Sequence, residues 1–128
     1  MGKPALEVLD QEFSIYRFAP DESVPPPVLE SSFYWIGKTD EELSVVCESS
    51  IEPGDGVKST GWSCIKVQGQ IDLSMFGVLA GISAALASVQ VSVFAISTFD
   101  TDYILVKSSQ LEEALDALGS AGYELKKP

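Results

Sequence analysis

Between Leu73 and Phe99 the chain carries no charged residue. A run this long could span a bilayer, but such spans are predominantly apolar throughout. Here Ser74, Ser83, Ser88, Gln90, Ser92, Ser97 and Thr98 interrupt it. Its character also changes midway, from Ala, Leu and Gly to Val, Phe and Ile. A buried helix running into a buried strand accounts for both facts. The spacing of Phe76, Leu79, Ala80, Ser83, Leu86 and Ala87 is near-helical with almost no polar side, which predicts a helix from about Ser74 or Phe76 packed closely on a sheet. Gly77 and Gly81 lower its intrinsic propensity and read as points of close backbone approach.

Past the helix, Val91–Thr98 and Tyr103–Lys107 are rich in β-branched and aromatic residues and flank the polar Phe99-Asp100-Thr101-Asp102, the pattern of a hairpin. Upstream, Trp62–Val67 (WSCIKV) alternates as a strand. Downstream, Ser109-Gln110-Leu111-Glu112 fits a capping box, with Ser109 as N-cap. Leu111, Ala114, Leu115 and Leu118 then share one helix face, Gly119 and Gly122 offer stops, and Tyr123–Lys126 closes as a short strand. Residues 61–128 therefore read as an α+β unit in the βαββαβ order, ferredoxin-like: an antiparallel sheet with helices on one face.

Residues 1–60 read as a second, β-rich unit. Leu6–Leu9 and Phe13–Phe18 are extended, and Ala19–Pro27 is a loop, because three consecutive prolines exclude a helix interior. Val28–Ser32 adds a helical turn, and Ser32–Ile36 and Leu43–Glu48 form a hairpin. Ser49–Gly61 is turn-rich and marks the boundary. Trp35–Val46 (WIGKTDEELSVV) aligns without gaps with Ala95–Val106 (AISTFDTDYILV), matching Asp40 to Asp100 and Glu42 to Asp102. The first unit thus looks like an eroded copy of the second.

Composition removes several function classes. With 128 residues the chain can bury a core without staples. A net charge of −11 and no dense Lys/Arg cluster argue against nucleic acid and anionic membranes as partners. There is no histidine, so neither a Ser-His-Asp nor a Cys-His mechanism is available. Cys47 and Cys64 alone do not make a metal site. The N-terminus has no apolar signal region, which leaves a cytoplasmic protein with reduced thiols as the expectation. No catalytic residues, metal or cofactor are expected.

Two stretches can hold a ligand. Asp100 and Asp102, with the hydroxyls of Thr98 and Thr101, can grip an ammonium or guanidinium, although Asp is also an ordinary turn former. The loop Gly69–Gly77 (GQIDLSMFG) leads into a helix start, whose unpaired N–H groups can receive a carboxylate. Carboxylates on one side and N–H donors on the other suit an amino acid.

The stretches GWSCIKVQG, GVLAGISAALA, ISTFDTDYILV and LEEALDALGSAGYEL resemble the ACT domain, a small-molecule-binding regulatory module. They are similar above all to the branch holding small tandem-ACT bacterial proteins and cytosolic arginine sensors. SFYWIGKTDEELSVVCE resembles the degenerate first ACT unit of the same proteins. The resemblance implies regulation rather than catalysis, with a free amino acid bound where two ACT units pack side by side. It implies contacts at Ser74, Met75, Phe76, Gly77 and Val78 of the loop and at Thr98, Phe99, Asp100, Thr101 and Asp102 of the hairpin. Asp102 matches the family acid that grips the arginine side chain. The arginine sensors carry acidic residues where this chain has Ser74 and Met75, which leaves a smaller or less basic amino acid as open as arginine. One full unit per chain implies a homodimer with two equivalent sites, and a protein partner that responds to the ligand. The alternative is a structural or protein-interaction ACT-like domain without ligand.

Overall fold

A computed structural model describes residues 3–69 and 77–126. The chain forms two compact units, one of residues 11–61 and one that joins residues 62 onward to those up to Asp10. The elements in order are β1 (Leu6–Phe18), α1 (Pro26–Leu29), β2 (Tyr34–Lys38), β3 (Leu43–Glu48), β4 (Val57–Val67), α2 (Val78–Ala87), β5 (Val93–Ser97), β6 (Asp102–Lys107), α3 (Leu111–Ser120) and β7 (Leu125–Lys126). The unit boundaries fall inside β1 and β4, each of which is one unbroken strand where two extended pieces or a turn-rich boundary were expected.

In the larger unit, β4, α2, β5, β6, α3 and β7 follow the βαββαβ order. β6 pairs antiparallel with β4 on one side and with β5 on the other. The expected closing strand β7 instead pairs in parallel with the start of β1, Leu6 opposite Leu125. The strand order of this unit is thus β7-β1-β4-β6-β5. Alternation along the strands sends Leu6, Val8, Ile65, Val67, Ile104 and Val106 into one core with Ile82 and Leu86 of α2 and Ala114, Leu115 and Leu118 of α3.

The face of α2 agrees with the sequence expectation at Leu79 and Leu86, which pack in the core, and departs from it elsewhere. Its buried side is Ile82 and Leu86, while Ala80 and Ala87 face outward and Ser83 is half-buried. A helix with almost no polar side leaves its phase to be set by packing. Its two glycines serve different ends. Gly77 has φ +83°, a left-handed conformation that favours glycine. At Gly81 a Cβ would lie 2.8 Å from the hydroxyl oxygen of the buried Tyr123, so the expected close approach is made by a side chain.

Helix α3 departs at its start and agrees at its end. The capping box does not form: Ser108–Gln110 make a 3-10 turn and Gln110, without a side-chain cap, precedes the helix. At the end, the Gly122 N–H donates to the Gly119 carbonyl (3.0 Å) and the Tyr123 N–H to the Leu118 carbonyl (3.1 Å), with Gly122 at φ +99°. This is a Schellman closure, with Tyr123 and Leu118 sharing the core. Lys3 donates to the Ala121 carbonyl and lies 4.8 Å over the Tyr123 ring, bringing a cation to the negative helix end. Helix α2 ends in the same way, Gln90 N–H to Ala87 carbonyl and Val91 N–H to Leu86 carbonyl (both 3.0 Å), but the left-handed position is Gln90 at φ 61°.

The smaller unit orders its strands β2-β3-β1. Tyr16, Phe18, Leu43, Val45 and Cys47 form its core with Val28 of α1. The helical turn starts at Pro26, earlier than expected, because proline is tolerated in a first turn. Its hairpin turn matches that of β5–β6 one residue away from the sequence alignment. Thr39 N–H donates to the Glu42 carbonyl (3.0 Å) as Thr98 N–H donates to the Thr101 carbonyl (2.9 Å). The Thr39 hydroxyl accepts from the Glu42 N–H (3.2 Å) as the Thr98 hydroxyl accepts from the Thr101 N–H (3.3 Å). By geometry Glu41, not Asp40, is the counterpart of Asp100.

Two outcomes follow from these contacts. Gln90→Gly relieves a left-handed non-glycine residue and is expected to raise stability by about 1 kcal/mol in urea unfolding. Burial pushes the Cys64 thiol up to about 12 and the Cys47 thiol up to about 11, with Glu48 and Glu52 adding to the rise at Cys47. A thiol held neutral contributes stability that is fully present below its unfolded value of about 8.5 and is lost as pH rises toward the folded values. Unfolding free energy should therefore fall above about pH 8.5, less steeply in Cys64→Ala, and neither thiol should alkylate at pH 8 until the chain unfolds.

Candidate functional site

The β5–β6 hairpin closes with Ser97 opposite Asp102, and the turn Thr98–Thr101 projects beyond it. The turn is held from inside. The Thr98 hydroxyl donates to the Thr101 carbonyl (3.1 Å), and the buried Thr101 gives its own hydroxyl to the Val67 carbonyl (2.9 Å). That last bond ties the turn to the end of β4. The Ser97 hydroxyl donates to Oδ1 of Asp102 at 2.6 Å, a charge-assisted bond that orients the carboxylate along the strand pair. Phe99 and Asp100 stand exposed at the tip, Phe99 to 75%.

Between this turn and the end of β4 lies an open cleft of about 280 Å³, lined by Lys66, Gly69, Thr98, Asp100, Thr101 and Tyr103. Lys66 and Tyr103 are cross-strand partners. Because Ile65, Val67 and Ile104 beside them enter the helix-facing core, this pair projects from the other face of the sheet. Gly69, at φ +80°, follows the strand. A Lys ammonium, an Asp carboxylate, a Thr hydroxyl and a Tyr phenol thus border one space. The set can hold a small polar molecule by hydrogen bonds and charge. Among the described residues no three of His, Cys, Asp and Glu come together as metal ligands, and no helix is long and apolar enough to cross a membrane.

Of the residues expected at the site, Thr98, Asp100 and Thr101 line the cleft. Phe99 and Asp102 adjoin it in the chain without lining it. Gly77 and Val78 open α2, where the Gly77 carbonyl accepts the Gly81 N–H at 2.9 Å, and are not part of the cleft wall. Ser74, Met75 and Phe76 lie outside the described residues. Lys66 and Tyr103 were not anticipated. The alternation of WSCIKV already set Lys66 apart from Ile65 and Val67, but only the β4–β6 register brings it beside Tyr103 and the turn.

Comparison with known proteins places this geometry in a family. A model of the ACT domain matches residues 57–120, and a second model, of an N-terminal domain, matches residues 11–55. No curated protein matches the chain. Among solved structures, a protein from Agobacterium tumefaciens is 33% identical, covers 100% of this chain and 96% of its own, and superposes with a TM-score of 0.91. A protein of unknown function from Vibrio cholerae, titled a possible transport protein, is 19% identical over 92% of this chain and 89% of its own, TM-score 0.73. The regulatory subunit of aspartate kinase from Thermus thermophilus shares the fold at 14% identity, covering 94% and 99%, TM-score 0.64. By the match to its second half and the likeness along its whole length, the chain belongs to the ACT domain family.

Proposed function

We propose that this protein is a regulatory module, not an enzyme, that senses a free amino acid at an interface between two ACT units and passes the signal to a protein partner. The observation that carries the reading is the cleft, in which Lys66 and Asp100 set opposite charges around one space small enough for such a ligand. The sequence-expected contacts Ser74 to Val78 and Thr98 to Asp102 complete the proposed site. Membership of a family whose fold is shared with an aspartate kinase regulatory subunit supports regulation. Two buried free cysteines fit a cytoplasmic setting.

The second ACT unit is supplied by a second copy of the chain. The outward face of α2, Ala80, Gly81, Ala84 and Ala87, is exposed and uncharged. β5 ends the strand order, with Val93 and Ala95 exposed. Small residues allow close helix approach, and an uncharged edge strand is open to pairing, so a two-fold contact can use both. A second reading, a ligand-free interaction domain, is favoured by one observation: the hydroxyls of Thr98 and Thr101 and one Asp102 oxygen already bond within the protein.

A thermal-shift screen against the proteinogenic amino acids separates the two readings. A ligand at a hundred times its dissociation constant adds about 2.7 kcal/mol of stability, which a clear rise in melting temperature reports. No shift with any amino acid at millimolar concentration leaves the ligand-free reading. In sedimentation, the wild-type chain should run as a dimer and Ala84→Glu as a monomer. A monomeric wild type would remove the interface.

A further inference from the structure

We infer that the sheet face of the larger unit opposite α2 and α3 docks an acidic segment of the protein partner that also carries apolar side chains. This rests on the regulatory reading above, for which it names the surface of contact, and it needs no ligand in the cleft. Ile65, Val67, Ile104 and Val106 enter the core beneath the helices, so their alternates turn the other way. The register sets Trp62 opposite Lys107, Cys64 opposite Leu105 and Leu105 opposite Phe94. Cys64 and Leu105 are buried, with Trp62, Phe94 and Lys107 half-buried around them. Trp62 and Phe94 stand on the strands to either side of β6, yet their ring centroids lie 6.5 Å apart, edge to face, so their contact crosses β6. The Lys107 ammonium lies 4.7 Å from the Trp62 ring centroid. Aromatic side chains of this kind are the usual anchors of an interface, and rings already held in place lose little freedom on binding.

The charge of this face selects the partner. Lys66 and Lys107 project from it. Lys126, opposite Glu7 in the β1–β7 pair, joins them, because Leu6 and Val8 to either side of Glu7 enter the helix-facing core. Three of the chain's eight basic residues thus share a face on which Glu7 is the one acid among the described strand residues, and Glu7 already accepts the Gln68 side-chain amide. The α3 side is the reverse, with Glu112, Glu113 and Asp116 exposed. In a chain of net charge −11, an acidic segment is drawn to this face and repelled elsewhere. A polynucleotide fits less well, since proteins that hold one commonly neutralise about six to ten phosphates. A second copy turned face to face would set lysines against lysines.

The test selects from a random peptide library displayed on phage, with the full chain as bait. The enriched peptide is then measured by fluorescence anisotropy beside its counterpart with Asn and Gln for Asp and Glu. Enriched peptides should combine acidic with aromatic or aliphatic residues. Wild type should bind the acidic form at least about tenfold more tightly than the amide form, less so as salt rises. Lys107→Gln and Lys126→Gln should narrow that ratio, and Lys58→Gln, which removes the same charge from the smaller unit, should leave it unchanged. The ratio does not move if a variant is merely less stable. The assignment is overturned if the library yields no binder or binders without acids, or if Lys107→Gln keeps the full ratio. It is also overturned if a single-stranded RNA oligonucleotide binds more tightly than the peptide, or if Lys107→Gln changes the sedimentation of the chain alone, which would make a second copy the occupant. Free amino acids enter none of these measurements, so the thermal-shift screen stands or falls separately.

Discussion

The register of β4 against β6 is the constraint on which the larger unit depends. With Ile65 opposite Ile104 and Cys64 opposite Leu105, both faces of this ladder are buried at its centre. A slip of β4 by one residue would turn its side chains over and send Lys66 into the helix-facing core in place of Ile65. The same register carries the Val67 carbonyl to where the Thr101 hydroxyl reaches it, so the turn above the cleft is positioned by the core below it. The site's geometry is inherited from packing, not built by the loop alone.

Elements with strong local signals were legible in the sequence. The hairpins, the apolar face of α3 and its glycine stop followed from alternation, period and turn chemistry, and the βαββαβ order followed from them. What was not legible depended on partners distant in the chain. The phase of α2 could be read only in part, since Val78–Ala87 offers no polar side to oppose the apolar one. The intercalation of β1 beside β7 pairs Leu6 with Leu125 across nearly the whole sequence, and no local pattern announces it. The capping box gave way because the chain leaves β6 through a 3-10 turn, in which Ser108 reaches the Ser63 hydroxyl at 2.8 Å.

The candidate site shows the same division. Thr98, Asp100 and Thr101 were visible because a polar turn between apolar strands is a local signal. Lys66 was hidden because its significance lies in a cross-strand neighbour. The internal echo was a fair guide to the hairpins but misplaced their equivalence by one residue. Identical letters favoured Asp40 with Asp100, whereas the threonine-anchored turns align Thr39 with Thr98. Side-chain identity at exposed turn positions is weakly constrained, while the threonine that accepts backbone N–H groups is fixed by geometry.

The strand order β7-β1-β4-β6-β5 has a consequence for how the molecule comes into being. The start of β1 leaves the ribosome before its neighbours β4 and β7 are made, with the core residues of the smaller unit between them in the chain. Until then Leu6 and Val8 have no partners in their core. The smaller unit, whose core residues all lie between Tyr16 and Cys47, has its parts in hand much earlier. The larger unit pays the loop-closure entropy of its most distant contacts last, which sets it apart as the slower and more exposed half of the folding reaction.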